Sequence, residues 1–325
     1  MATYIGIKGI EIQSLASDPA NPVVGQVWYN TDSATLKGYG MQGTGAWASG
    51  GAMNTAGGYV IGIGTSISAS MIAGRGPNSA LVETYDGTTW TEVTAMTNGR
   101  QGVSGGAGST TAGLVYGAAP ASTLVEEWNG TGWTERADIN SSRSYTCNST
   151  GGTTTAALAG GGGSGAPGGA LTEQFDGTSW TEVGDLNFAR WRASSAGTST
   201  DQLVTGDANA PEEDKTEKWN GTTWTAVSDI NGGGYSMGGG GATSSTAWVM
   251  GGTPEAKRRG VGTSNTEHYN GTSWTEVGDV ASPIEAGGGA ATTTSGMGMG
   301  GYTPPTASAT YEWSIPDATK TFTAS

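Results

Sequence analysis

One phrase occurs five times in this chain, and it limits what the chain can become. It first reads Glu83-Thr84-Tyr85-Asp86-Gly87-Thr88-Thr89-Trp90-Thr91 and returns without internal gaps at 126–134, 173–181, 217–225 and 267–275. The template is Glu, any residue, aromatic, Asp or Asn, Gly, Thr, any residue, Trp, Thr. Five such copies mark an internal repeat. Locally the phrase is a β-hairpin: aromatic and Thr residues suit a pleated surface, and Asp-Gly or Asn-Gly between two such runs accommodates the left-handed backbone of a tight turn. A lone hairpin is marginal in water, so each copy must stack on its neighbours.

The repeat begins at Trp47. Its outer Trp falls at 47, 90, 133, 180, 224 and 274. Between successive Trps the same parts recur: a Trp strand (Trp180-Thr181-Glu182-Val183), a loop, a Gly/Ala/Ser-rich strand (Gly102 to Gly108), an apolar strand ending in Gly (Ala156 to Gly161), a variable loop and the Glu-x-aromatic strand. Four short strands in a period of about 45 residues predict a β-propeller blade. The glycine pair Gly251-Gly252 followed by Tyr269 and Trp274 resembles the kelch repeat, over residues 45 to 313; Gly76 and Gly206 are single, and Gly117 is followed by Ala118.

The two ends of the repeat region are complementary. The last unit reaches Ser308-Ala309-Thr310-Tyr311-Glu312-Trp313, where Trp313 aligns with Trp128, and then has no outer strand; Gly45-Ala46-Trp47-Ala48-Ser49 is an outer strand with no blade. The expectation is an all-β, six-bladed kelch-like propeller whose sixth blade is closed by N- and C-terminal strands, which removes the exposed sheet edges. Residues 1–44 form an N-terminal extension with an isolated hairpin over 25–39, 45–313 the propeller, and 314–325 a C-terminal tail. If strands a to d run outward from the axis, the b–c and d–a loops share one face, and both termini join the opposite, uniform c–d face.

Composition narrows the function. The formal net charge is −14 and no basic face is visible, which speaks against a nucleic-acid partner. No run approaches the roughly 18 apolar residues of a membrane span. One Cys (Cys147) and one His (His268) give no material for a Ser-His-Asp triad or a multi-His metal centre. The reading is a non-enzymatic protein with no cofactor and no metal.

The candidate residues fall into three sets. Trp47, Trp90, Trp133, Trp180, Trp224 and Trp274 recur once per unit, which fits packing between blades better than sugar platforms. Arg100, Arg143 and Arg190 recur in the d–a loop and serve as blade braces or ligand contacts, but Gly57 and Gly234 occupy that register in other units, so any arginine ring is incomplete. On the variable face stand Asp207, Glu212, Glu213 and Asp214, a solvated acidic loop or a carboxylate-rich cation loop; Lys257, Arg258 and Arg259, an exposed loop tip or a dock for an anionic partner; and Tyr302. The Asn-Gly-Thr triplets at Asn129, Asn220 and Asn270 match the glycosylation sequon, but coincide with the hairpin turn, where Asp86 and Asp176 serve equally.

The extension phrase Gly25-Gln26-Val27-Trp28-Tyr29-Asn30-Thr31-Asp32 with Leu36-Lys37, together with the Gly-rich kelch-like units and their Asp-Ile/Leu-Asn segments, resembles virion proteins of tailed bacteriophages, notably marine ones. The resemblance implies a structural protein of the virion, tail-associated or capsid-decorating, made in the bacterial cytoplasm and present in multiple copies. It implies attachment to other virion proteins through residues 1–44, with Val27, Trp28, Tyr29, Leu36 and Tyr39 as the candidate anchor, and contact of the propeller with a host-surface glycan or receptor. Two other readings are a cement or adaptor protein buried within the assembly, and a protein-interaction propeller unrelated to virions.

Overall fold

The structure is a computed structural model that describes residues 12–41, 45–101, 105–147, 151–163, 169–208, 213–254, 261–285, 287–302 and 307–322. Regular structure among them is all β-strand, so no helix is long and apolar enough to cross a membrane. The chain divides into two compact units, Ala46–Ser314 and a smaller one made of Met1–Gly45 with Ile315–Ser325.

The larger unit contains, among the described residues, six antiparallel sheets of three or four strands and a two-stranded one that pairs Gly234–Tyr235 with Thr253–Pro254. The first is Ile61–Ser66, Ala69–Ala73, Val82–Tyr85 and Trp90–Val93, in sequence order across the sheet. The second, fourth and fifth repeat that order, with inner strands Gly105–Gly108, Ser194–Gly197 and Gly238–Gly240. The third shows three strands, Ala157–Gly160, Thr172–Phe175 and Trp180–Glu182; residues 148–150, near its expected inner strand, lie outside the described residues. The sixth is Gly288–Ala291, Ser295–Met299 and Thr310–Ser314, completed by Ala46–Ser49 from the other end of the chain. Trp313 pairs with Trp47 and Ser314 with Ala46.

The five hairpin turns owe their uniformity to one side chain. Asp86 accepts hydrogen bonds from the backbone N–H groups of Thr88 and Thr89, both at 2.8 Å. Asn129, Asp176, Asn220 and Asn270 do the same two and three residues on. The glycine that follows holds φ between 93° and 97° in all five turns, a region that carries no steric cost only for glycine. The amide contacts pull the Asp86 and Asp176 carboxyls below the ordinary range.

Glycine in the inner strands has a different reason. A Cβ on Gly289 would lie 2.3 Å from the carbonyl oxygen of Gly239, and one on Gly62 would lie 2.3 Å from that of Gly289. Inner strands of neighbouring sheets therefore approach backbone to backbone. Outward from them, the core lies between sheets. Leu114, Tyr116 and Val125 of the second sheet pack with Ala157, Phe175 and Trp180 of the third.

The single histidine is part of this packing. His268 stands edge-on to Trp313, ring centroids 4.8 Å apart, and desolvation lowers its pKa to about 4. The imidazole is thus neutral in the fold and takes up a proton on unfolding at mildly acidic pH. Its contribution is intact above the unfolded pKa near 6.5, declines as pH falls from there to about 4, and is flat below. The full shift corresponds to at most about 3 kcal/mol, reduced here because the side chain keeps partial contact with solvent. Chemical denaturation at pH 7 and pH 4.5 should show this loss, and His268→Gln should flatten that part of the profile.

The smaller unit corrects the expectation of an isolated hairpin. Val27–Asn30 and Thr35–Met41 do form a hairpin, but Gln13–Leu15 pairs parallel to the first strand and Asp317–Phe322 antiparallel to the second. Asp317–Phe322 of the tail is thus an edge strand of this sheet. Asp18 organises one face: it accepts from Trp28 Nε1 at 3.0 Å, Asn30 Nδ2 at 2.7 Å and Lys37 Nζ at 2.8 Å. These bonds, that from Lys37 foremost, hold its carboxyl down at about 2.

Candidate functional site

The repeated glutamate joins each sheet to the loop that leaves the preceding one. Glu173 accepts from the N–H of Asn140 at 2.7 Å, from Asn140 Nδ2 at 2.8 Å and from the N–H of Ser141 at 3.1 Å. Glu83, Glu126, Glu217 and Glu267 make the same kind of contact with Asn54, Asn98, Asn187 and Asn231. The recurrent arginines complete it: Arg100 pairs with Glu126 at 3.0 Å, Arg143 with Glu173 at 2.7 Å and Arg190 with Glu217 at 3.2 Å, all side chains at most 2% exposed.

In the first unit, where the repeat register holds Gly57, Arg75 arrives from the b–c loop and pairs with Glu83 at 2.9 Å. A Cβ on Gly57 would lie 2.9 Å from Arg75 Cβ, so glycine there makes room for the substitute. The sequence register alone had missed this fourth arginine. Glu267 in the fifth unit is held by Asn231 and Gly232.

The outer tryptophans also reach across sheets. Trp90, Trp224, Trp274 and Trp47 donate through Nε1 to the hydroxyls of Thr310, Thr172, Thr216 and Thr266, each on the third strand of the preceding sheet. Trp180 and Trp133 donate to the carbonyls of Ala137 and Thr94. The buried thiol of Cys147 has its pKa pushed up to about 12 by desolvation, so it is neither a nucleophile nor a ligand at neutral pH.

A different set of residues forms a cavity. Twelve residues after each outer Trp stand Tyr59, Gly102, Tyr145, Arg192, Ser236 and Ala286. Gly102 and Ala286 lie outside the described residues. The other four have left-handed backbones, with φ of 58°, 56°, 63° and 56°. Bulky L-residues adopt this conformation at a cost of roughly 1–2 kcal/mol each, and such outliers concentrate at functional sites.

These four residues line one cavity of about 80 Å³, together with Thr146, Met237 and the inner-strand residue Gly288. Five of the six sheets contribute to it, so it sits where the inner strands converge. Its aromatic side is continuous. Tyr59 lies 6.2 Å from Tyr145 and 5.7 Å from Tyr302, and Tyr145 meets Trp191 edge-on at 5.5 Å. The Arg192 guanidinium lies 4.5 Å from the ring centroids of both Tyr145 and Trp191, and 5.2 Å from that of Tyr59.

Of the residues expected on the variable face, Tyr302 joins this cluster. Asp207 does not belong to a solvated loop: it is fully buried and accepts from the N–H of Trp191 at 2.8 Å, bracing the segment that carries Arg192. Glu213 is also buried. Glu212, Lys257, Arg258 and Arg259 lie outside the described residues. No cluster of three or more potential metal ligands occurs among the described residues.

Of the candidate anchor residues, Trp28 is fully buried with its indole N–H bound by Asp18, so it belongs to the core of the small sheet and offers no outer surface. Tyr29 is exposed, and Val27, Leu36 and Tyr39 are half-buried. Tyr29, Leu36 and Phe322 lie side by side in register on one face.

Tyr59, Tyr145, Trp191 and Arg192 were not singled out from the sequence. The signal was present as a position just before the inner strands whose residue changes from unit to unit.

No family model matches the chain, and no curated protein matches it. Among solved structures it is similar to YjhT, a kelch-repeat β-propeller protein, with a TM-score of 0.63 and 11% identity over 83% of this chain and 99% of that one. At that identity the likeness concerns the fold alone, and the larger unit has a kelch-like β-propeller fold.

Proposed function

We propose that the chain is a non-catalytic recognition module: a six-bladed propeller whose axial mouth, on the d–a and b–c face, binds a surface ligand. The observation that carries this reading is the set of left-handed residues twelve positions after each Trp. The recurrent Trp, Glu and Arg residues of the repeat serve closure and packing, whereas this position holds two tyrosines, an arginine and a serine at the cavity, each at a cost in backbone strain. Stacked aromatics beside a guanidinium suit a glycan, whose C–H faces pack on rings and whose hydroxyls and acidic groups take hydrogen bonds. The six-blade count is supported by the six sheets and by the pairing of Trp47 with Trp313. The virion setting rests on the phage-like extension phrase. In that setting residues 1–44 attach the protein to the particle and the propeller meets the host surface.

Adhesion of the protein to host cells tests the reading. Tyr59→Gly with Tyr145→Gly relieves the left-handed strain and removes both rings; it is expected to abolish adhesion while the propeller stays folded. If adhesion is unchanged, the axial mouth is not the recognition site, and the reading as a cement protein, which needs no such site, gains.

A further inference from the structure

The axial cavity holds a cation without a counter-ion. Among the described residues Arg192 makes no ion pair, and its one side-chain hydrogen bond is from Nη2 to the Tyr145 hydroxyl at a long 3.4 Å. Every other buried arginine among the described residues has a glutamate. Arg192 is 9% exposed, in a protein of net charge −14. A buried charge is retained only when something compensates it. The three rings supply part of this by cation–π attraction, but rings do not satisfy N–H donors.

Three buried polar atoms on residues lining this cavity have no hydrogen-bond partner: Arg192 Nε, Thr146 Oγ1 and Ser236 Oγ. Native proteins leave few such atoms, and each calls for an explanation. One guanidinium and two hydroxyls around a cavity of about 80 Å³ form a donor set for a planar anion. The cavity is far below the roughly 300 Å³ of a pocket that encloses a whole drug-sized ligand, so it takes one group at the end of a larger molecule.

We propose that the axial cavity binds the carboxylate of an acidic sugar, with Arg192 as its counter-ion, Thr146 and Ser236 as hydrogen-bond donors, and the Tyr59 and Tyr145 rings against the sugar. A guanidinium matches a carboxylate through two parallel N–H bonds, and the surrounding aromatic wall keeps that contact away from bulk water. This inference rests on the reading of the mouth as a glycan site and adds the charge of the glycan.

The test is titration of the full chain with galacturonate and with galactose, followed by the fluorescence of the tryptophans and by chemical shifts of the arginine side chains. Galacturonate is expected to bind at least tenfold more tightly than galactose. Arg192→Asn, which keeps a residue tolerant of the left-handed backbone, should weaken galacturonate binding about ten- to hundredfold, in line with the loss of a charge-assisted hydrogen bond, without lowering the melting temperature. Arg192→Lys should retain part of the affinity and show a steeper loss with salt.

Equal binding of the two sugars, unaltered by Arg192→Asn, overturns the carboxylate site and leaves the glycan reading standing. A large fall in melting temperature for both Arg192 variants, with galacturonate affinity unchanged, would make Arg192 a structural cation and equally overturns it. If neither sugar binds, the carboxylate site falls, and adhesion of the Tyr59→Gly, Tyr145→Gly protein decides the parent reading separately.

Discussion

Glu173→Ala is expected to cost about 3–5 kcal/mol of stability and to lower the melting temperature by roughly 10 °C. The glutamate is 1% exposed and receives the Arg143 guanidinium, two backbone N–H groups and the Asn140 amide. Removing it strands a buried positive charge and three donors at once, and stranded charges cost more than the pair itself contributes. Arg143→Met should cost less, because the carboxylate keeps its three donors from the preceding loop. The double variant Arg143→Met, Glu173→Leu should recover part of the single glutamate loss, since only neutral groups remain unmatched: the donors of the preceding loop and the carbonyls of Ala159, Gly161 and Leu171 that Arg143 had served. Differential scanning calorimetry of the three proteins would decide this; a loss below about 1 kcal/mol for Glu173→Ala would show that the clamp contributes little.

A larger effect is expected from removing the closing strand. A chain of residues 45–314 keeps Ala46–Ser49 on the sixth sheet, whereas one of residues 50–314 leaves Thr310–Ser314 as an open edge. The shorter chain also loses Trp47, whose ring lies 5.4 Å from Trp313 and 5.6 Å from Trp248 and whose indole donates to Thr266 at 2.9 Å. Truncating a large aromatic in a core costs roughly 3–5 kcal/mol, the half-buried Trp47 falling at the lower end, and each ladder hydrogen bond adds about 1 kcal/mol. The loss should therefore exceed about 5 kcal/mol, and the bare edge should drive self-association. Size-exclusion chromatography and thermal melting of the two fragments would show it. A monomeric 50–314 fragment with an unchanged melting temperature would mean that the strand only decorates the sheet.

The architecture was legible because its determinants are local and repeated. Asp86-Gly87 and its four relatives announce a hairpin wherever they stand, and the surplus strand around Trp47 matches the deficit after Trp313 by simple alignment. What escaped was not periodic. Arg75 reaches Glu83 from a loop outside the repeat register, so only the space left by Gly57 hints at it. The strand Asp317–Phe322 follows no repeat, and its partner Thr35–Met41 lies at the other end of the chain. Asp207 looked solvated in a run of acids, but a backbone N–H fixes it inside the protein. The axial residues were hidden for the opposite reason. Repeat analysis looks for sameness, and Tyr59, Tyr145, Arg192 and Ser236 differ.

The pairing of Trp47 with Trp313 also sets a timetable. Ala46–Ser49, the first strand of the larger unit to be made, finds its partner only after more than 260 further residues. At about 5–20 residues per second this is a wait of tens of seconds. During that time five sheets can form in order, each on the one before, while Ala46–Ser49 has no place to go. The same delay holds for Thr35–Met41, which awaits Asp317–Phe322. A chain broken anywhere before residue 310 can complete neither sheet, so both closures require an unbroken chain from Thr35 to Phe322.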